Sequence, residues 1–256
     1  MTKVIWLSDL HFTADGDVIG HDPRRRVSAA VEMVNELHGD AACVIISGDL
    51  VNRGTEADYA ALKDHLDRLN PPYHVIPGNH DDRALMRAVF GLSGDFIQHV
   101  VELPDARLIC LDTHKPRADG GEYCAARHDW LAATLASSDV PAYLFMHHPP
   151  MPLGLPMQDQ DMMADGGAFL DLVSRFPQVR HLFIGHVHRP ISGAVRGIPF
   201  ATMRAVLYQA PAPWPEWDWE SFAPGQEPPG LGVIHIDGGD VILHHAQICA
   251  YEDGTG

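Results

Sequence analysis

Five short clusters of metal-binding residue types occur along this chain, and each follows directly on an apolar run. Asp9-Leu10-His11 follows Val4 to Leu7, Gly48-Asp49 follows Ala42 to Ser47, and Gly78-Asn79-His80-Asp81 follows Tyr73 to Ile76. His147-His148-Pro149 follows Ala142 to Met146, and Gly185-His186-Val187-His188 follows Val179 to Ile184. Short apolar runs of this kind, rich in Val, Ile and Phe, read as buried strands. Segments of helical period separate the first of them. Asp22-Pro23 supplies a cap and a first-turn proline for a helix with Val27, Ala30, Val31 and Val34 on one face. Thr55 caps a second helix carrying Tyr59, Leu62, Leu66 and Leu69, which Pro71-Pro72 stops. Strands alternating with helices predict an α/β fold. Open α/β sheets gather ligands beyond the carboxyl ends of their strands, so clusters far apart in sequence can converge there.

A further strand is expected at Arg107 to Leu111, with a helix around Ala125 to Leu135 before the run at Ala142. Past Gly193 the pattern changes to hairpin material. Ile198 to Thr202, Gly232 to Ile236 and Val241 to Ala246 read as strands, the last two joined by the turn Asp237-Gly238-Gly239-Asp240. The 256 residues suit one domain, 1–256, in which 193–256 adds C-terminal strands and a Pro/Trp-rich cover or oligomerisation segment.

The net charge of −16 repels nucleic-acid backbones and anionic lipid surfaces, although a metal cluster can still draw in a small phosphate. No stretch reaches the ~18 uninterrupted apolar residues of a membrane span, and no signal peptide precedes Val4. Cys43, Cys110, Cys124 and Cys249 form no Cys-x-x-Cys pair, as expected of thiols in a reducing compartment. These features predict a cytoplasmic protein acting on a small substrate, with neither a nucleic-acid polymer nor a membrane as partner.

The five clusters offer carboxylate, imidazole and amide oxygen together. A carboxylate can bridge two cations and offset their charge, neutral imidazoles bind borderline transition metals, and an amide completes a shell without adding charge. Asp49 is the expected bridge. Asp9, His11 and His188 complete one site, and Asn79, His147 and His186 the other. Two cations lower the pKa of a water between them far enough to make it a nucleophile at neutral pH, so no serine or cysteine nucleophile is needed.

In order and spacing, these motifs resemble the calcineurin-like metallophosphoesterases over residues 4 to 190. The chain is most similar to the bacterial branch that holds class III cyclic nucleotide phosphodiesterases and glycerophosphodiesterases. Leu7-Ser8-Asp9-Leu10-His11-Phe12, Gly48 to Gly54 with Tyr59 following, and Met146 to Pro150 carry that likeness. The resemblance implies a four-layer αββα fold, a β-sandwich flanked by helices. It also implies two divalent or mixed-valence metal ions per chain, drawn from Fe, Mn, Zn or Co, a homo-oligomer, and a small phosphodiester substrate. Glycerophosphodiesters are the first expectation and cyclic nucleotides the alternative. A non-catalytic scaffold of the same fold would be expected to lose ligands, and every ligand position here is filled.

Many phosphatases of the superfamily carry Asp at the position of Asn52, where it orients the histidine corresponding to His80. Asn52 supplies no negative charge, so His80 is the expected catalytic residue through hydrogen bonds to phosphoryl oxygens more than as a strong acid. Asn79, His80 and His148 are expected at the substrate. The family pattern selects His147 as the ligand, leaving His148 a supporting or substrate role. Arg24-Arg25-Arg26 reads as a solvated first helical turn. Trp214, Trp217 and Trp219 suit a partner interface better than stacking on a base. Met157, Met162 and Met163, set among Asp159, Asp161 and Asp165, read as a flap after His147.

Overall fold

The computed structural model describes residues 1–237 and 239–248, so Gly238 of the expected turn and Cys249 lie outside the described residues. The apolar runs form strands, named here in chain order: β1 (Thr2–Leu7), β2 (Cys43–Ile46), β3 (Tyr73–Val75), β4 (His99–Glu102), β5 (Arg107–Cys110), β6 (Ala142–Met146), β7 (Val179–Ile184), β8 (Ser192–Val195), β9 (Ile198–Thr202), β10 (Gly230–Asp237) and β11 (Asp240–Gln247). They make two mixed sheets, ordered β11-β10-β1-β2-β3 and β4-β5-β6-β7-β9-β8. Strands β1, β2 and β3 run parallel in the first, and β5, β6, β7 and β9 run parallel in the second.

The two sheets face each other across one apolar layer. Val4, Trp6, Cys43 and Ile45 from one sheet meet Leu108, Tyr143, Phe145 and Phe183 from the other. Trp6 sits edge-on to Phe183 with ring centres 5.2 Å apart, and Phe183 stacks on Phe145 at 4.7 Å. Helices cover both outer faces. The first sheet buries its outer side against α1 (Pro23–His38), α2 (Glu56–Leu66) and α3 (Arg83–Phe90). The second buries its own against α4 (Ala125–Ala136) and α5 (Gly166–Val173). The expected four-layer αββα sandwich is therefore the observed fold.

Local chemistry explains the helix ends. Asp22 caps α1 by accepting from the Arg24 and Arg25 amides. Thr55 and Asp58 form a reciprocal capping box on α2. The arginines after Asp22 are not one solvated face, because Arg26 is buried and its guanidinium lies 2.9 Å from His21 Nδ1. The flap expected after His147 is tied down: Asp159 accepts from the Leu153, Gly154 and Leu155 amides, Asp165 accepts from Tyr123 N, and Met163 is buried.

Trp6 links this core to the site. Its indole Nε1 donates to Ser47 Oγ at 2.8 Å, and Ser47 Oγ donates to Ser8 Oγ at 2.9 Å, the two buried serines standing next to Gly48 and Asp9. Trp6→Ala should destabilise the chain by about 3–5 kcal/mol through the cavity it leaves, measured by urea unfolding. A loss below ~1 kcal/mol would show that the inter-sheet layer does not depend on this ring.

Candidate metal centre

Each cluster sits just past the carboxyl end of a parallel strand: Asp9 and His11 after β1, Asp49 after β2, Asn79 and His80 after β3, His147 after β6, and His186 and His188 after β7. The first two loops run side by side, with Asp9 N donating to Gly48 O and His11 N to Asp49 O. Asp9, His11, Asp49, His186 and His188 all adopt left-handed backbone, with φ between 41° and 71°. Non-glycine residues hold that conformation at a cost of order 1–3 kcal/mol each, and such positions concentrate at functional sites. Close approach also explains two glycines. A Cβ on Gly78 would lie 2.2 Å from Asp49 Oδ1, and one on Gly48 would lie 2.4 Å from His147 Nδ1.

The side chains divide into two sets about Asp49. Asp49 Oδ2 lies 3.5 Å from His11 Nε2, and Oδ1 lies 3.4 Å from His147 Nε2. On the first side, His11 Nε2 and His188 Nε2 face each other at 3.1 Å, and Asp9 Oδ1 is 3.3 Å from His188 Nε2. Ligand atoms from Asp9, His11, Asp49 and His188 all lie within 4.8 Å of one another. On the second side, Asn79 Oδ1 is 3.1 Å from both His147 Nε2 and His186 Nδ1.

The free ring nitrogens are chosen by the other nitrogen's partner. His147 Nδ1 donates to the Ser47 carbonyl and His188 Nδ1 to the Tyr208 carbonyl, which directs each Nε2 inward. Asp9 Oδ2 and His11 Nδ1 are buried with no hydrogen-bond partner. Two facing imidazole nitrogens, an orphaned carboxylate oxygen and a carboxylate split between two histidine sets suit a pair of cations. The residues fit the group.

Electrostatics keep the carboxylates ionised. Burial pushes Asp9 up, but His188 and His147 beside it bring it down to about 2. Asp49 lies well below its ordinary value, because His147, His80 and His11 outweigh its burial. Burial pushes His11 and His186 down to about 3, so both rings are neutral at pH 7 and ready to act as ligands. His147 is the exception: burial lowers it, yet Asp49 and Asp9 raise it to about 9.

Several neighbours were not singled out by their sequence. Asp81 is buried and accepts from the Leu50 and Gly78 amides and from the Tyr59 hydroxyl, fastening the Asp49 loop to the Asn79 loop. Its place in the Gly-Asn-His-Asp cluster was the available signal. Asp112 is fully buried, takes two 2.7 Å bonds from Arg83, and accepts from the His114 amide, anchoring the segment that walls the cavity beside His80. Tyr208 lines the cavity over the candidate ligands with no motif to announce it, and Trp219, read from sequence as an interface residue, lines the same cavity.

His80 donates its backbone N–H to Asp49 Oδ1 at 2.9 Å, and its ring stands edge-on to His11. Its Nδ1 is buried without a partner, so no bond from Asn52 orients it. His148 is fully buried, with Nδ1 2.8 Å from Thr113 Oγ1 and Nε2 3.2 Å from the Asp119 carbonyl. Both ring nitrogens are thus engaged, and Asn79 is better placed than His148 to join His147 and His186.

The sequence profile described as calcineurin-like phosphoesterase matches residues 2–190. The chain belongs to the calcineurin-like phosphoesterase family. It is 36% identical over 255 residues to a protein of Rhodopseudomonas palustris named a probable cyclic nucleotide phosphodiesterase, covering 96% of this chain and 92% of that one. It is 30% identical over 215 residues to a glycerophosphodiester phosphodiesterase of Enterobacter lignolyticus, covering 80% and 77%. A dimetal phosphatase structure from Danio rerio superposes with a TM-score of 0.74 over 96% of both chains at 12% identity, a likeness of fold alone.

If Asp49 serves both cations, Asp49→Ala should leave neither bound, whereas Asp9→Ala should retain one. Elemental analysis after desalting reads this, and two ions per chain in Asp49→Ala would remove the bridge. The raised His147 gives a second test. In the metal-free site that ring carries a proton below about pH 9, and a cation must displace it. Affinity should therefore fall about tenfold for each pH unit below 9, with about one proton released per binding event at pH 7.5. Calorimetry in buffers of different ionisation enthalpy counts that proton, and a count of zero would contradict the assignment.

Proposed function

We propose that this chain is a dinuclear metal-dependent phosphodiesterase hydrolysing small phosphodiesters such as glycerophosphodiesters. The observation that carries the proposal is Asp49, whose two oxygens reach separate ligand sets. The relatives named as phosphodiesterases support a diester substrate. The mixed nitrogen and oxygen donors suit Fe, Mn, Zn or Co. When bound, two such cations neutralise phosphoryl charge and supply a nucleophilic water.

The chain's own residues do the rest. Asp9, His11, Asp49 and His188 would hold one cation, and Asn79, His147 and His186, together with Asp49, would hold the other. The burial of Asp9, Asp49, His147 and His188 limits competing water and strengthens every charge interaction within the site. His80 lines both cavities that meet at the centre, where it can donate to a phosphoryl or leaving oxygen as charge develops. His148 orients the Thr113 to Asp119 wall against the substrate. Residues 1–256 work as one domain. The unpaired thiols of Cys43, Cys110 and Cys124 support a reducing cytoplasm, and exposed Trp214 with the outer strand β11 supports a homo-oligomer.

A cyclic nucleotide substrate is the second reading, favoured by the 36% identical relative of that name. A panel of bis(p-nitrophenyl) phosphate, p-nitrophenyl phosphate, cyclic AMP and glycerophosphocholine decides between them. Diesters should exceed the monoester at least about tenfold in kcat/KM, a difference of ~1.4 kcal/mol. A higher value on the monoester would overturn the diesterase reading, and a clear preference for cyclic AMP would transfer it to the second substrate. His80→Ala should lower kcat by ~10²-fold with both cations retained. Equal losses on nitrophenyl and alkyl diesters would leave His80 as a stabiliser of charge and remove it as a proton donor.

A further inference from the structure

A cavity of ≈ 370 Å³ opens over the metal ligands, and its outer walls differ in chemistry from its floor. One wall is aromatic. The Tyr208 ring lies 4.5 Å from that of His188, Phe222 lies 6.2 Å from Tyr208, and Trp219 lies 5.9 Å from Phe222. These rings lead outward from a metal ligand to the rim. Trp219 is 56% exposed, yet Trp217 holds it edge-on at 5.3 Å. Trp219, expected at a partner interface, thus also lines the cavity.

Besides Asp49 in its floor, the same cavity is lined by two carboxylates, Asp119 and Asp161, and by one guanidinium, Arg53. Arg53 and Asp119 neutralise each other across 2.7 Å. Asp161 has no hydrogen bond or ion pair to its side chain among the described residues. Beyond the metal ligands the cavity thus presents two aromatic faces and one uncompensated negative charge. Aromatic rings attract a cation through their quadrupole, and a nearby carboxylate adds direct attraction. A neutral sugar or a flat base would leave that carboxylate unanswered.

We infer that Tyr208, Trp219 and Asp161 form a subsite for an ammonium group on one alcohol arm of the substrate, as in choline or ethanolamine diesters. The inference rests on the phosphodiesterase reading for where the phosphate lies. The phosphodiester anion sits at the metal cluster, and the cationic arm extends along the aromatic wall towards Asp161. A zwitterionic diester of this kind meets opposite charge at both ends.

The test compares glycerophosphocholine and glycerophosphoethanolamine with glycerophosphoglycerol, whose second arm carries no charge, using the metal-reconstituted chain. Trp219→Ala and Asp161→Asn should each reduce the preference for the ammonium diesters over glycerophosphoglycerol at least tenfold, mainly through KM. Trp219→Phe should restore most of the preference lost in Trp219→Ala. A larger effect of Trp219→Ala on the choline diester and of Asp161→Asn on the ethanolamine diester would separate the quaternary from the primary ammonium. Equal losses on all three diesters would overturn the subsite. So would a Trp219→Ala effect confined to cyclic AMP with Asp161→Asn inert, which marks base stacking. Calorimetric titration with choline chloride reads the subsite without turnover: binding that Trp219→Ala and Asp161→Asn both weaken sustains it, and absence of binding overturns it. Failure to cleave any diester, with choline still bound, would sink the phosphodiesterase reading and leave the subsite standing.

Discussion

The structure is organised around a buried carboxylate that belongs to two groups of histidines at once. Burial works against the charge on Asp49, and His147, His80 and His11 around it hold its carboxyl well below the ordinary range. The geometry comes from backbone more than from side-chain reach. Parallel strands from both sheets end at one level, and the residues just beyond them turn into left-handed conformations that aim short side chains inward. Asp81 then fixes the relative position of the Asp49 and Asn79 loops with bonds to backbone donors. The sandwich is the rigid support on which those bonds depend.

A buried cluster of this kind is costly as an assembly of polar groups. Facing imidazole nitrogens, orphaned oxygen and nitrogen atoms and strained ligands each disfavour the metal-free fold. Cations bound there would relieve all three at once. Binding free energy is thus coupled to the stability of the strand-end loops.

Much of this was legible in the sequence because the informative strands are buried on both faces. Val4 to Leu7, Ala142 to Met146 and Val179 to Ile184 stand out as apolar runs, and each leads into candidate ligands. The caps Asp22 and Thr55 were equally plain. Less legible were α3, only 8 residues long with Met86 its one buried side chain, and β4, none of whose 4 residues is fully buried, since such short and partly covered elements offer little pattern to read. Helix α5 escaped because two glycines open it, and Gly166 is there to clear the Pro150 carbonyl. Tyr208 and Trp219 reach the site from an irregular segment. Their positions follow from tertiary packing, which local pattern does not encode.

The pairing of β1 with β10 has a consequence for how the chain folds. Val4 lies opposite Ile234, so the central strand of the first sheet gains one neighbour early and the other only from the far end of the sequence. Such long-range pairing carries a large loop-closure cost and slows folding. During synthesis β1 and β2 can associate while one edge of β1 stays open, with Trp6 waiting for Phe145 and Phe183 to be made. A growing chain therefore carries an adhesive strand edge until late, and a chaperone that shields that edge would raise the yield more than one acting on the finished molecule.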